Sequence, residues 1–245
     1  MGVQQYDNAG AEKQLHALLD IYFSDVAAAC PYRPGWKAVY RQALFSPLPD
    51  HVMGHFLDAG YRRNGNCIYT MQCPDCAACL PLRINPLEFK PNRNQRRVLR
   101  RNRDVEARQG PLSMDRTGQG LFNAFLRTRY AAAGGTAGEY YRDFFFNTVT
   151  TTMEIRYTAA DRLLGIAIVD FGVNWLNAVY FAFDPAAGDR SPGTYNVLYL
   201  IDFCRQHNID HLYLGYWIEE VSAMSYKKNF NPHWLRFKGQ WQQRG

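Results

Sequence analysis

The sequence predicts a mixed α+β fold, and three observations carry that expectation. Short apolar, aromatic runs recur along the chain and stop at turn residues, as strands do; Ala178 to Phe183, closed by Asp184-Pro185, is the clearest. Two other stretches carry apolar residues at helical spacing: Leu121, Phe122, Phe125, Leu126 and Tyr130 in one, and Val197, Leu198, Ile201 and Cys204 in the other. At 245 residues, 47% of them hydrophobic, the chain suffices for one large domain or two small ones around a real core.

Taken in order, residues 1–15 are a polar lead-in. Leu18 to Phe23 is expected as a strand, with a helix from Gln14 as the alternative, and the prolines and glycine of Cys30-Pro-Tyr-Arg-Pro-Gly35 impose an extended loop. Trp36 to Phe45 is expected as a strand and Pro49 to Ala59 as a short helix stopped by Gly60. Tyr61 to Gln72 reads as a hairpin turning at Asn64-Gly65-Asn66, where positive φ is tolerated. Leu82 to Phe89 is another strand, and Pro91-Asn92 opens a helix.

Beyond Gly110 the texture changes, and a domain boundary is expected near residues 105–112, giving a first domain over 1–108 and a second over 109–245. Gly120 to Ala133 is a helix broken by Gly134-Gly135, and Glu139 to Thr148 a second one. Strands follow at Thr152–Tyr157 and Leu163–Val169, turning at Asp161-Arg162, and lead into Ala178–Phe183. Ser191-Pro192-Gly193-Thr194 then starts a helix, since a proline costs nothing where no intrahelical N–H bond is made. His207-Asn208 stops that helix, His211 to Ile218 is a strand with Gly215 inside it, and Trp234 to Trp241 completes the sheet. A glycine within a strand marks a bulge or a close approach. Two helices, a strand meander, then strand–helix–strand is the element order of the N-acetyltransferase-like fold.

Charge and cysteines bound the function. No apolar run reaches membrane length, and MGVQQYDNAG lacks the basic and apolar parts of a signal peptide. A cytoplasmic, reducing setting is therefore expected, where clustered thiols mean metal or redox chemistry more than disulfides. Cys73, Cys76 and Cys79 form a C-x-x-C-x-x-C knuckle to which Cys30 would add a fourth ligand for zinc or an iron–sulfur cluster; the plain alternative is a turn of reduced thiols. Cys67 and Cys204 lie in apolar contexts and read as core.

The formal net charge is +6, and the segment from Lys90 to Arg108 alone, with eight basic and two acidic residues, accounts for all of it. Arg93, Arg96, Arg97, Arg100 and Arg101 recur at helical spacing and share a face. Five arginines together repel unless an anion covers them, and a planar guanidinium fits phosphate oxygens. A nucleic-acid backbone is favoured over a plain solvated face. Gly193 and Thr194, where a strand, a loop and a helix N-terminus meet, form the kind of corner that cradles phosphate, or an ordinary crossover.

Several of these motifs together resemble the arginyl-tRNA–protein transferase family, most closely its bacterial, leucine-using branch. They are Cys30-Pro-Tyr-x-Pro-Gly, Gly60-Tyr-Arg-Arg-Asn-Gly followed by Tyr69, Cys73-x-x-Cys76-x-Ala78-Cys79-x-Pro81-Leu-Arg83 and Phe89-x-Pro-x-Arg93-x-Gln95-Arg96-Arg97. Ala178-Val-Tyr-x-x-Phe183-Asp184-Pro185, Gly193-Thr194-Tyr195, Leu212-Tyr-Leu-Gly-Tyr-Trp-Ile218 and Met224-x-Tyr226-Lys227 continue the series. The resemblance implies that leucine passes from leucyl-tRNA to the α-amino group of a protein beginning with Asp or Glu, creating a degradation signal. It also implies an N-acetyltransferase-like C-terminal half and a cysteine-bearing N-terminal half that holds a metal or cluster in some eukaryotic relatives. Arg33 stands here where those relatives place a second cysteine.

That activity needs little from a protein. An aminoacyl ester is already activated, so no cofactor is required for the transfer; positioning, removal of a proton and oxyanion stabilisation remain. Gly193 and Thr194 are expected to hold the terminal phosphate or ribose, and backbone around Gly215-Tyr216 to face the ester. Tyr213, Tyr216 or Tyr226 would supply a hydroxyl, although tyrosines in an aromatic-rich sheet are more often core. Asp184 would polarise the incoming ammonium or merely cap the turn at Pro185. For an acidic N-terminus the cation candidates are Lys227 first, then Arg83 and Arg62 or Arg63. Rival readings keep the tRNA donor with a small-molecule acceptor, or bind RNA without catalysis; an acyl-CoA enzyme is disfavoured by the size of the arginine face.

Overall fold

The computed structural model describes residues 18–129 and 135–245. The polar lead-in, and Tyr130 to Gly134 at the end of the first expected long helix, lie outside them.

Two sheets organise the chain. The smaller is antiparallel in the order β1-β2-β4-β3, made of β1 (Ser24–Ala29), β2 (Lys37–Leu44), β3 (Arg62–Asn64) and β4 (Cys67–Met71), with helix α1 (Asp50–Asp58) inserted after β2. The larger has the order β12-β11-β5-β10-β9-β8-β7-β6. Its strands are β5 (Leu80–Ile84), β6 (Glu106–Gly110), β7 (Thr152–Ala159), β8 (Arg162–Phe171), β9 (Trp175–Phe183), β10 (His211–Trp217), β11 (His233–Phe237) and β12 (Gln240–Arg244). The helices around it are α2 (Arg93–Arg101), α3 (Arg116–Arg129), α4 (Ala137–Tyr140), α5 (Pro192–Gln206) and the short α6 (Ser222–Ser225). The mixed α+β expectation therefore holds. The chain crosses between sheets after Met71, whereas the stretch 105–112 contains edge strand β6, and β5 from the expected first domain sits between β10 and β11.

Both faces of the larger sheet are covered. Along β8, Ile166 and Ile168 pack towards α3 and α4, while Ala167 and Val169 pack towards α5, as the two-residue period of a strand demands. Val197, Leu198, Ile201 and Cys204 of α5 lie in that second cluster, as their spacing indicated. A third cluster joins α1 to the larger sheet through Phe56, Trp175 and Tyr213.

Four elements differ from expectation. Leu18–Phe23 is not a strand: residues 18–20 are helical, and Leu19 and Phe23, four apart, turn to one side against the third cluster. The β5 strand ends at Ile84 because the Asn85 side chain accepts from the Leu87 N–H at 3.0 Å and bends the chain. Instead of a helix over Glu139–Thr148, α4 widens into a π-helical turn at Tyr141–Phe145. There the Phe144 carbonyl accepts from the Gly65 N–H at 2.9 Å and from Arg63 at 3.2 Å. Finally, Trp234–Trp241 is a hairpin rather than one strand, since Lys238 and Gly239 both take positive φ between β11 and β12.

Candidate active site

The one parallel pair in the larger sheet, β9 with β10, is joined by α5 and bonded only from His211–Tyr213 to Trp175–Asn177. Beyond those residues the strands part. Ala178 to Phe181 and Phe183 line one side of the opening and Leu214 to Tyr216 the other, enclosing a cavity of ≈ 330 Å³. Gly215 sits at the split with φ +80°, and the pairing of β10 with β5 shifts register there, so it is the bulge its position in the strand suggested.

Arg62 fills the split. Its guanidinium donates to the Ala178 carbonyl at 3.2 Å and lies so close to Gly215 that a Cβ there would stand 3.0 Å from Nη2. The residue is only 9% exposed, Tyr69 and Tyr216 stand beside it, and burial pulls its pKa below the ordinary arginine value. Among the described residues no carboxylate pairs with it, and no Asp or Glu lines the cavity.

Next to it, Lys227 is half-buried and donates from Nζ to the carbonyls of Leu214 at 2.7 Å and Tyr216 at 2.8 Å. Burial first, and the Arg62 charge second, lower its pKa to about 7. Tyr226 lies against Gly193, and burial pushes its phenol up to about 12, so it remains a proton-bearing donor at neutral pH. Tyr216 also lines the cavity, its phenol likewise raised by burial. The N-terminus of α5 follows Ser191, which has φ 54° and places no side-chain cap on the first turn.

Of the residues expected to act in catalysis, terminal-nucleotide binding and acceptor binding, the fold gathers Arg62, Gly193, Tyr216, Tyr226 and Lys227 at this cavity and leaves five outside it. Tyr213 projects to the opposite face from Leu212 and Leu214, where its hydroxyl meets Asp58 at 3.3 Å. Arg83 pairs with that same Asp58 and lies 4.4 Å over the Trp241 ring. Asp184 accepts from Arg162 at 2.8 Å and from the Ala186 N–H at 2.9 Å, so it is the cap of the turn. Thr194 lies in the first turn of α5 without lining the cavity. Arg63 is spent on Asp170 instead.

Sequence reasoning passed over Asn196 and Arg129, which line the cavity, and gave no site role to Tyr69, a residue of the resemblance. Asn196 is buried on the apolar stripe of α5 and accepts from the Tyr157 hydroxyl at 2.8 Å while lining the cavity. A polar residue four positions before Leu200, on the buried side of a helix, was the available signal.

The arginine helix leads to this opening. Asn92 and Gln95 form a reciprocal capping box at the start of α2, with both bonds at 2.9 Å. Its inner face is pinned at two points: Gln95 donates to the Asn229 carbonyl at 3.0 Å, and Asn102 to the Arg190 carbonyl at 2.9 Å. One anchor is the turn carrying Lys227 and the other the turn entering α5. Arg93, Arg96, Arg97, Arg100 and Arg101 are all exposed, and among the described residues none has a carboxylate partner.

Cys30, Cys73, Cys76 and Cys79 line a separate cavity of ≈ 400 Å³ with Arg33. Arg33 donates to the Cys76 sulfur at 3.3 Å, the Val39 N–H to Cys73 at 3.5 Å, and burial pushes Cys79 up to about 12. Among the described residues no three Cys, His, Asp or Glu side chains stand where they would hold one metal ion. The donor chemistry suits zinc or a cluster; the geometry does not.

A cleft between parted strands has apolar side chains along its wall and a row of guanidinium groups on the neighbouring helix, and comparison with known proteins gives the class. Residues 28–97 match the family model described as arginine-tRNA-protein transferase, N terminus, and residues 118–236 match that for the C terminus. The chain belongs to the arginyl-tRNA–protein transferase family. Among its relatives is the aspartate/glutamate leucyltransferase of Thiobacillus denitrificans, 37% identical over 216 residues, covering 87% of this chain and 90% of the relative. That of Gluconacetobacter diazotrophicus is 33% identical, covering 90% and 86%. Solved structures of L-PGS from Bacillus licheniformis (10% identity, covering 87% of this chain and 78% of that one) and of FemX (11%, covering 87% and 70%) each align at TM-score 0.46. Likeness at that level assigns neither a fold nor an activity.

Proposed function

We propose that the cleft between β9 and β10 moves leucine from leucyl-tRNA to the α-amino group of a protein whose first residue is Asp or Glu. The observation that carries this reading is the Arg62 guanidinium, removed from solvent and without a carboxylate partner at the split. A buried unpaired charge is costly, and an acidic acceptor side chain would supply the missing partner. Arg62 rather than Lys227 is then the group that reads the acceptor, because two backbone carbonyls already occupy Lys227.

The donor assignment rests on the rest of the wall. Val179, Phe181, Phe183 and Leu200 offer leucine an apolar surface, whereas an arginyl side chain would meet Arg62, Arg129 and Lys227 with no acid to balance it. The arginine face of α2 carries the tRNA backbone to the open first turn of α5, where Gly193 leaves room for the terminal nucleotide. Tyr226 and Tyr216 are the hydroxyl donors to the tetrahedral oxyanion. The parted parallel pair with its bulge supports an N-acetyltransferase-like reading of the larger sheet. No helix among the described residues is long and apolar enough to cross a membrane, and work on a soluble tRNA donor fits the cytoplasm.

Transfer needs no cofactor, so a chelator leaves the rate unchanged; a fall in rate on chelation would restore a role for the cysteines. The decisive test offers labelled leucyl-tRNA and arginyl-tRNA with peptides beginning Asp, Glu, Asn or Ala. Label is expected on the Asp and Glu peptides and from leucine alone. Label on no peptide would move the acceptor to a small molecule.

A further inference from the structure

We infer that Lys227 is the proton shuttle of the transfer: its amine takes the proton released as the acceptor nitrogen bonds to the ester carbon, and returns it to the departing ribose oxygen. The inference deepens the leucyl-transfer reading and rests on it.

The geometry is that of an amine with one position free. A lysine nitrogen is tetrahedral: one direction is its own Cε, and two point to the carbonyls of Leu214 and Tyr216 at 2.7 and 2.8 Å. In the neutral form both N–H bonds are thereby used, and the remaining direction holds the lone pair; in the charged form it holds the third N–H. Only that one position changes on protonation, and Lys227 borders the cavity where the acceptor is placed. The two carbonyls flank Gly215, so the bulge in β10 fixes the amine beside the Arg62 guanidinium.

The surroundings favour the form with the lone pair. The titratable and charged groups bordering the same cavity are Tyr32, Arg62 from β3, Tyr69 from β4, Arg129 from α3, Tyr180 from β9, Tyr216 from β10 and Tyr226 on the same turn. None is a carboxylate, two are cations, and the phenols of Tyr69, Tyr216 and Tyr226 are held protonated by burial. Burial first and the Arg62 charge second lower the Lys227 pKa to about 7, with no carboxylate at the cavity to offset them, and roughly half the amine is ready to accept near neutrality.

The step balances without another reactant. The acceptor enters as a free amine, a sizeable fraction near neutrality for an α-amine of pKa about 7.7–8.0. Its electron pair forms the C–N bond, and one N–H proton passes to Lys227. The intermediate then collapses, the C–O bond pair leaves with the ribose oxygen, and that oxygen takes the proton back. Lys227 ends neutral, as it began.

A purely structural role, stapling the bulge, is the competing account, and two measurements separate them. In protein labelled with 13C at the lysine ε-carbon, the resonance absent from Lys227→Arg is expected to titrate near pH 7; a midpoint near the ordinary lysine value overturns the inference. In single-turnover transfer to a saturating Asp peptide, the wild-type rate is expected to rise with pH through about 7. Lys227→Arg, which keeps donors for the two carbonyls but accepts no proton, is expected to lose the limb near 7, leaving only the rise of the acceptor's own amine at about 7.7–8.0, and to lose about 10²–10⁴-fold in rate while binding tRNA as before. Lys227→Arg retaining the limb and a rate within about threefold would overturn it. Should wild type leucylate no acidic peptide, the underlying reading fails and takes this inference with it; if it does so and only the Lys227→Arg result is contrary, the reading stands alone.

Discussion

Arg62 and Arg63 are neighbours on the three-residue strand β3, both withdrawn from solvent, and their surroundings are opposite. Arg63 meets Asp170 through two parallel bonds of 2.7 and 2.8 Å, with both side chains 0% exposed. Its remaining donor reaches the carbonyls of Gly65 and Phe144, and Asp170 is completed by Thr152 and Asn177. Every charge there is answered within the protein, and the result fastens the smaller sheet to the larger. Arg62, turned the other way by the strand's alternation, meets one carbonyl and a cavity. A saturated ion pair is architecture; an unsaturated one is an invitation to a ligand.

Arg63→Met tests the first half and carries the largest expected effect. Asp170 would be left ionised with no cation, a loss of about 3–5 kcal/mol in unfolding free energy, read as a lower denaturant midpoint. Adding Asp170→Leu is expected to recover much of it, since a well-packed apolar pair replaces a buried ion pair at little cost. No recovery would mean that the junction depends on the charges themselves.

Arg62→Met is expected to reverse the pattern: an unchanged or higher denaturant midpoint, with loss of about 1.5–3 kcal/mol of preference for Asp over Asn at the acceptor's first position. The measurement is the ratio of kcat/KM for the two peptides. If that ratio survives while stability collapses, Arg62 is architecture as well, and the acidic side chain is read elsewhere. Gly215→Ala perturbs the same place through the backbone. An alanine at φ +80°, with its Cβ 3.0 Å from the guanidinium, costs about 1–2 kcal/mol in stability and displaces Arg62, so acceptor preference is expected to fall with it. Preserved preference would show that the guanidinium is held by Ala178 alone.

The sequence makes one side of this comparison far more legible than the other. Arg-Arg on a predicted strand implies that the two residues face apart, but not which finds an acid, because Asp170 lies 107 positions from Arg63. Lys227 and Lys228 are chemically alike and only the family resemblance singles out the first; the turn after α6 tucks it under β10 and leaves the second exposed. By contrast, features set by neighbours in the chain were plain: the hairpin at Asn64-Gly65, the crossover from β9 through α5 to β10, and the bulge at Gly215. Tyr213 lies away from the cavity, and a tyrosine in an aromatic strand carries no mark of which face it takes until the partner strands are known. The parting of β9 from β10, which creates the cavity, is a departure from regular pairing and leaves only Gly215 as its trace.

The smallest individual effects belong to α2, where the comparison extends to charges that face water. Arg96, Arg97 and Arg100 have no carboxylate partner, as Arg62 has none, but solvent and salt screen them. Each should therefore matter little to stability and modestly to affinity, and the effects should add. If each meets one phosphate, replacing it with Gln flattens the dependence of log affinity on log salt by about one, so the triple variant loses about three from the slope at an unchanged denaturant midpoint. Rate at saturating leucyl-tRNA should be unaffected, because these residues deliver the donor and do not touch the ester. A slope that stays steep in the triple variant would place the tRNA on another surface, and the lack of a carboxylate partner would then point to a ligand at Arg62 but not along α2.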